Sequence, residues 1–263
     1  MSHVPSPSPS TMLRMRQICL VANDLDAVES DLRDIFGIEV CHRDPVVARF
    51  GLRNFLMPVG NNFLEVVSPL QAGTAGGRYL QRRGGDGGYM VIMQCADAEA
   101  AKQRVSELGI RIVLDTPQGA NHGIQLHPKD LPGAIAELRQ NEGAEDPAGP
   151  WSPAGDNWQR AKNTDVTVAM TAAEIQADNP DLLAERWAAV VDRLVEDRGG
   201  VPTIRLDDAT LRFVPITDGR GEGLGGLDLQ VVDKQRVKTA AATRGCAVEG
   251  DVVMVCGVRF RLV

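Results

Sequence analysis

Two stretches of this chain carry the same pattern. Residues 14–40 read RMRQICLVANDLDAVESDLRDIFGIEV, and residues 87–113 read GGYMVIMQCADAEAAKQRVSELGIRIV. Each holds a short apolar strand, an Asp-bearing helix start, one amphipathic helix, a Gly and a second strand. Further strands follow in both copies. A chain that repeats one supersecondary unit must stack its copies to bury their apolar faces, so the repeat constrains the fold more than any single motif. It also pairs equivalent positions, and that is where chemistry would be visible.

The first unit spans about Leu13 to Leu70. Ile18–Ala22 reads as a strand, and Asn23 or Asp24 can cap the following helix. Val28, Leu32, Ile35 and Phe36 fall on one face of that helix, and Gly37 closes it. Glu39–Arg43, Arg53–Pro58 and Asn62–Ser68 read as strands, giving β-α-β-β-β. Residues 71–86 form a Gly-rich connector with a short helix around Arg78–Arg82. The second unit runs from Gly87 to about Arg139, with a helix over Ala98–Leu108 and strands near Arg111–Leu114, Gly123–His127 and Ala134–Leu138.

Residues 141–160 are Pro, Gly, Asn and Asp punctuation and mark the expected linker between domains. The pattern then recurs more loosely twice. Asp165–Met170 is a strand and Pro180–Arg193 a helix turning Leu183, Trp187, Val190, Val191 and Leu194 inward. Thr203–Leu206 and Ala209–Pro215 are strands around an Asp207-Asp208 turn. Leu227–Val232, a helix over Lys234–Thr243 and a hairpin around Gly257 close the chain. The expected division is a tail at 1–12, a domain at 13–140, the linker, and a second domain at 161–263.

Bulk properties narrow the partners. A net charge of −7 over 263 residues argues against nucleic acid, whose phosphates demand a basic surface. No apolar run approaches the length of a membrane span, and the N-terminus has no apolar signal core. Cys19, Cys41, Cys95, Cys246 and Cys256 are odd in number and lack CxxC spacing, as reduced thiols of a cytoplasmic protein would. Aromatic residues are 4% of the chain, so a ligand pocket would be lined by aliphatic side chains, Met and backbone.

The paired β-α-β-β-β unit resembles the vicinal oxygen chelate superfamily, which includes glyoxalase I, methylmalonyl-CoA epimerase, extradiol dioxygenases and bleomycin-resistance proteins. NFLEVVSPL at 62–70 looks like the fourth strand of such a unit. IQLHPKDLPGAIAEL at 124–138 looks like the close of the second unit in epimerase- and glyoxalase-like members, and DLDA at 24–27 is similar to the usual start of the first helix. The stretch GGRYLQRRGGDGGYMVIMQ is similar to a glyoxalase-like subgroup without an assigned reaction. The resemblance covers 13–140. It implies an α+β fold of tandem βαβββ units pairing into cup-shaped, mainly antiparallel half-barrels.

The resemblance also implies a divalent metal (Mn, Ni, Zn or Fe) held by one first-strand and one fourth-strand residue of each unit. Carried over, those ligands are Gln17, Glu65 and Glu137. Carboxylate and amide oxygens suit such ions. The fourth position departs from the pattern: lining Asp97 up with Asp24 sets Met90 against Gln17, and a thioether is a poor ligand for a hard ion. In the last unit the same alignment gives Gly226, while Arg212 and Arg261 fall near the fourth-strand positions of the second half. None of these binds a cation. Residues 161–263 therefore read as a degenerate half, structural or pocket-forming.

Each candidate has a plainer reading. Glu65 could be an edge carboxylate paired with Arg53 or Arg78, Glu137 a solvent-facing residue, and Gln17 an ordinary strand amide. His127 is either a turn-former beside Pro128 or a ligand or general base. His122 could reach a pocket mouth, while His42 and His3 read as surface residues. Arg78, Arg82 and Arg83 could hold an anion at the rim or form a solvated helix face. Gly219–Gly226 reads as a flexible linker.

The expected function is a glyoxalase-like enzyme of lyase or isomerase type. It would act on a small oxygen-rich or carbonyl substrate, with Glu65, Glu137 or His127 moving a proton. The alternative is a metal-free small-molecule binding protein of the bleomycin-resistance type. Extradiol dioxygenase chemistry is disfavoured because no His-His-Glu triad is in place. The expected partner is a small molecule, with no nucleic acid and no membrane, and a homodimer is compatible with the chain.

Overall fold

The computed structural model describes residues 12–263, so His3 and the expected tail, apart from Met12, lie outside the described residues. The first unit comprises β1 (Leu13–Val21), α1 (Leu25–Phe36), β2 (Leu52–Val59) and β3 (Asn62–Pro69). The connector helix α2 (Ala75–Arg83) leads to β4 (Gly87–Cys95), α3 (Ala98–Glu107), β5 (Ile112–Gln118), β6 (Asn121–Leu126) and β7 (Ile135–Gln140). The third unit holds β8 (Thr167–Ala177), α4 (Pro180–Val191), β9 (Val195–Asp197), β10 (Pro202–Arg205) and β11 (Thr210–Pro215). The fourth holds β12 (Gly223–Val231), α5 (Lys234–Thr243), β13 (Val248–Glu249), β14 (Val252–Val255) and β15 (Val258–Leu262).

These strands form two open sheets, ordered β2-β3-β1-β4-β7-β6-β5 and β13-β14-β15-β12-β8-β11-β10-β9. In every unit the first and last strands pair in parallel. The two units of a sheet join through antiparallel first strands, β1 with β4 and β8 with β12. This is the expected α+β half-barrel architecture.

The repeated helix starts have one local cause. Asp24, Asp97, Asn179 and Asp233 are N-caps whose side chains accept backbone N–H bonds from the first helical turn. In α1 the expected stripe Val28, Leu32, Ile35 and Phe36 is buried, and Gly37 (φ 66°) ends the helix by donating to the Arg33 carbonyl.

Strand alternation then divides the side chains. Ile18, Leu20, Leu64, Val66, Val91 and Met93 of the first sheet share one continuous core with Ala173, Ile175, Leu211, Phe213, Leu227 and Leu229 of the second. The helix-bearing faces therefore look toward each other and the two concave faces look away. The approach is close at Gly88, where a Cβ would lie 2.4 Å from the Leu224 carbonyl oxygen.

Several local expectations are corrected. Glu39–Arg43 is not a strand: only His42 bridges to Leu56, and a 3-10 helix (Pro45–Phe50) follows, capped by Asp44 and started by Pro45. Leu194 is 84% exposed because α4 stops at Val191, with Asp192 left-handed beyond it. The second half of Gly219–Gly226 is not a linker but the start of the buried strand β12. Gly223 and Gly225 there leave room for the guanidiniums of Arg83 and Arg259. Arg83 itself is buried and donates to the carbonyls of Arg220, Gly221 and Glu222, so it ties the connector to the second sheet. The five cysteines are free thiols. Among the described residues no helix is long and apolar enough to cross a membrane.

Candidate functional site

The concave face of the first sheet centres on β1, β3, β4 and β7. Register sets Cys19 beside Glu65 and Met90, and Ile92 beside Gln17 and Glu137. The expected ligands thus share one face, and Glu65 and Glu137 occupy equivalent places in the two units. A register shift between Met15 and Gln17 lets consecutive residues, Arg16 and Gln17, serve the same side.

Glu65 is almost fully buried and every partner it has is neutral. Gln17 Nε2 donates to one carboxylate oxygen at 2.8 Å and Asn54 Nδ2 to the other at 2.6 Å, while the Cys19 thiol adds a third bond. Burial pushes the Glu65 carboxyl above its ordinary value of 4.5. The bonds from Asn54, Cys19 and Gln17 pull it back, and the charge of Glu137 adds to the rise. The expected alternative partners, Arg53 and Arg78, are engaged elsewhere: Arg53 lies 3.5 Å from Asp26 and Arg78 donates to the Gly73 carbonyl. Glu137 is different, because Arg139 grips its Oε1 through Nε and Nη2, each at 2.7 Å. The same burial, with the charge of Glu65 behind it, drives the Cys19 thiol well above its ordinary range.

The segment expected as a linker roofs part of this face. Trp151 and Trp158 are buried with Leu56, Phe63 and Ile92. Trp151 Nε1 donates to Gln17 Oε1 at 2.6 Å. Phe63 stacks on Trp151 at 6.5 Å and meets Trp158 edge-on at 4.9 Å. Arg16 holds the segment down: its guanidinium donates to the carbonyls of Asn61, Pro147 and Gly149 and sits within 6 Å of all three rings. Burial, then the charge of Arg14, lowers the Arg16 pKa to about 10, so the side chain stays cationic at neutral pH.

The donor set does not fit a divalent cation as it stands. Such an ion needs lone pairs turned toward it. Here both Glu65 oxygens and the Gln17 oxygen already accept N–H bonds, and Glu137 carries a guanidinium. Met90 supplies a thioether at the remaining position. His127 follows β6 in a turn, where its Nδ1 accepts from the Lys129 N–H at 3.1 Å and its own N–H donates to the Arg111 carbonyl. Its hydrogen bonds thus serve the turn rather than either carboxylate. His122 pairs with Asp115 at 2.7 Å.

Asn54, Cys19, Arg139 and Trp151 are the participants that the sequence reading missed. A lone amide within the apolar run of β2, and two Trp in a Pro/Gly-rich stretch of an aromatic-poor chain, were signals available beforehand. Asn54 also lines a cleft of about 460 Å³ with Leu25, Arg43, Leu52, Arg53 and Leu70.

The second sheet repeats the geometry with the charges exchanged. Register pairs Glu174 with Arg212 and Asp228 with Arg261, the places where the first sheet pairs Cys19 with Glu65 and Ile92 with Glu137. Arg212 takes Asp228 with both Nη atoms and reaches Glu174 at 3.3 Å. Arg259 holds Glu174 at 2.9 Å and Gln176 at 3.1 Å. Hydrogen bonding to Asp228 raises the Arg212 pKa despite burial.

A family model described as a glyoxalase-like domain matches residues 18–191, well over half of the chain. The chain belongs to that family. The resemblance to the vicinal oxygen chelate superfamily is borne out with it. Methylmalonyl-CoA epimerase of Mus musculus is 28% identical over 130 residues, covering 48% of this glyoxalase-like chain and 72% of the relative. Ethylmalonyl-CoA/methylmalonyl-CoA epimerase of Cereibacter sphaeroides is 27% identical over 132 residues, covering 48% and 97%. Two solved structures share the fold over most of the chain. A hypothetical protein from Staphylococcus aureus has a TM-score of 0.67 at 14% identity, covering 96% of this chain and 99% of its own. A mutant of 4-hydroxymandelate synthase from Streptomyces coelicolor has a TM-score of 0.65 at 16% identity, covering 90% and 76%.

Proposed function

We propose that this glyoxalase-like protein is an isomerase-type enzyme that moves a proton on a carbon beside a carbonyl, with Glu65 as the proton-transferring group and no metal in the step. The state of Glu65 carries the reading. A carboxylate held only by neutral donors, and pushed upward by burial, is poised to exchange a proton nearer neutral pH than a salt-bridged one. Gln17 and Asn54 fix its orientation, and Asn54 also lines the 460 Å³ cleft. Glu137 is instead ion-paired with Arg139. The epimerase relatives, named for α-substituted acyl-CoA substrates, support this class of reaction on the first sheet.

The test is solvent exchange. Methylmalonyl-CoA, then a panel of other α-substituted acyl thioesters and small 2-oxo acids, is incubated with the protein in D2O and followed by mass spectrometry. At least one compound should gain deuterium at the α-carbon. The Glu65→Gln variant should slow the gain by a factor of about 10²–10⁴, the usual contribution of a general base. No exchange across the panel, or an unchanged rate in Glu65→Gln, rejects the proposal.

A second reading, the metal-free binding protein, is favoured by Trp151 and Trp158, whose rings already occupy part of the concave face. It predicts that a ligand changes tryptophan fluorescence without any exchange.

A further inference from the structure

On the concave face of the second sheet three guanidiniums, Arg212, Arg259 and Arg261, surround two carboxylates, Glu174 and Asp228. One positive charge is left over. Arg198, which lines the same cleft, is already matched by Glu196 at 2.8 Å and adds nothing to the balance. The two acids are nearly buried, with side-chain exposures of 8% and 9%, whereas the Arg261 side chain is 51% exposed.

The surplus sits on Arg261. It reaches Glu174 only at 3.4 Å and Asp228 only at 3.8 Å, through Nη2 and Nε. These are long for charge-assisted hydrogen bonds, which close to about 2.7–2.9 Å. Arg212 and Arg259, by contrast, hold their acids at 2.8 and 2.9 Å. Arg261 faces a cleft of about 340 Å³ whose other walls include Thr203, Thr210 and Arg212. A half-exposed guanidinium with unspent donors on the wall of a cleft that also presents Thr210 and Arg212, with Glu174 held by Arg259, matches the planar or tetrahedral oxygens of an anion.

We infer that the second concave face is a binding site for a small oxyanion, a carboxylate or phosphate group seated on Arg261 with Arg212 behind it and Thr210 at its side. The carboxylates fix the three guanidiniums in place without cancelling them. This site lies on the opposite side of the molecule from Glu65 and does not depend on proton transfer there.

Titration calorimetry of the full chain with inorganic phosphate and with malonate, at constant ionic strength set by chloride, tests the inference. Binding of phosphate alone identifies a phosphate group, and binding of malonate alone a carboxylate. Either binding supports the site, provided the variants respond as follows. Arg261→Met should weaken it at least about tenfold, the scale of one lost charge-assisted contact. Arg236→Met, on the exposed face of α5, should leave it unchanged. Glu174→Gln, which adds one to the surplus charge and keeps an acceptor for Arg259, should tighten it. The opposite signs of Arg261→Met and Glu174→Gln separate a site from a folding defect. Failure of both anions to bind, or equal affinity in Arg261→Met, overturns it.

Discussion

The two concave faces are built on the same strands in the same register, yet they carry opposite chemistry. On the first, the last strand of each unit supplies a carboxylate, Glu65 or Glu137. On the second it supplies a guanidinium, Arg212 or Arg261, and the acids have moved to the first strands as Glu174 and Asp228. The first face is roofed by Trp151 and Trp158, and the second opens into a cleft. A half-barrel thus guarantees that four side chains converge over the centre of the sheet. Their charge, and so the ligand, is left to the residues chosen.

Removing the roof should have the largest effect. Trp151→Ala deletes a side chain that is 1% exposed and should cost about 3–5 kcal/mol in denaturant unfolding, the range for a buried aromatic cut to Ala. Trp151→Phe keeps most of the packing and loses the bond to Gln17, for about 1 kcal/mol. The second face opens into a cleft, and ion pairs stand there in place of the buried aromatics. Glu174→Ala leaves Arg212, Arg259 and Arg261 with Asp228 alone. Breaking a fully buried pair costs about 3–5 kcal/mol. Solvent at the partly exposed guanidiniums should reduce this to about 2–3 kcal/mol in the same measurement. A Glu174→Ala loss exceeding that of Trp151→Ala would reverse the contrast.

The contrast was only half legible in the sequence. The fold came through because it is local: Asp24, Asp97 and Asp233 cap helices within a few residues, and apolar alternation assigns the strands. The equivalence of Glu65 with Glu137, and the arrival of Arg212 and Arg261 near the matching places, came from laying the superfamily's ligand positions on the repeat. What stayed hidden depends on contacts distant in the chain. Trp151 meets Gln17 across 134 positions, and nothing local distinguishes a linker that folds over a sheet from one that spans solvent. Asn54 and Cys19 read as strand residues until the register sets them around Glu65. Glycines misled for a related reason: Gly223 and Gly225 are small because Arg83 and Arg259 lie over them, not because the chain bends.

A gentler test of the first face uses pH. The folded-state pKa of Glu65 lies above its ordinary 4.5, so between the two values the native protein binds the extra proton. Stability from this group is therefore complete below about pH 4.5 and declines as pH rises through the folded value. Glu65→Gln has no proton to lose. Its unfolding free energy relative to the parent should increase across that window and level off above it. A difference that is flat with pH would mean that Glu65 is solvated like a surface carboxylate.

The smallest expected effect is that of metal ions, and it sharpens the comparison most. An ion bound at a hundred times its Kd would stabilise the protein by about 2.7 kcal/mol. For a chain of this size that shifts Tm by about 5–10 °C. Mn, Ni, Zn or Fe should instead move the Tm by less than about 1 °C, because Met90 offers only a thioether and Arg139 holds Glu137. Adding a ligand should not repair this by itself. Met90→His puts an imidazole at the fourth position but leaves Arg139 on Glu137, so its Tm should still ignore the ions. Combining it with Arg139→Gln removes the competing charge, and only the double variant should show a metal-dependent rise. A rise in Met90→His alone would mean that the thioether, not the ion pair, is what turns the first face away from metal.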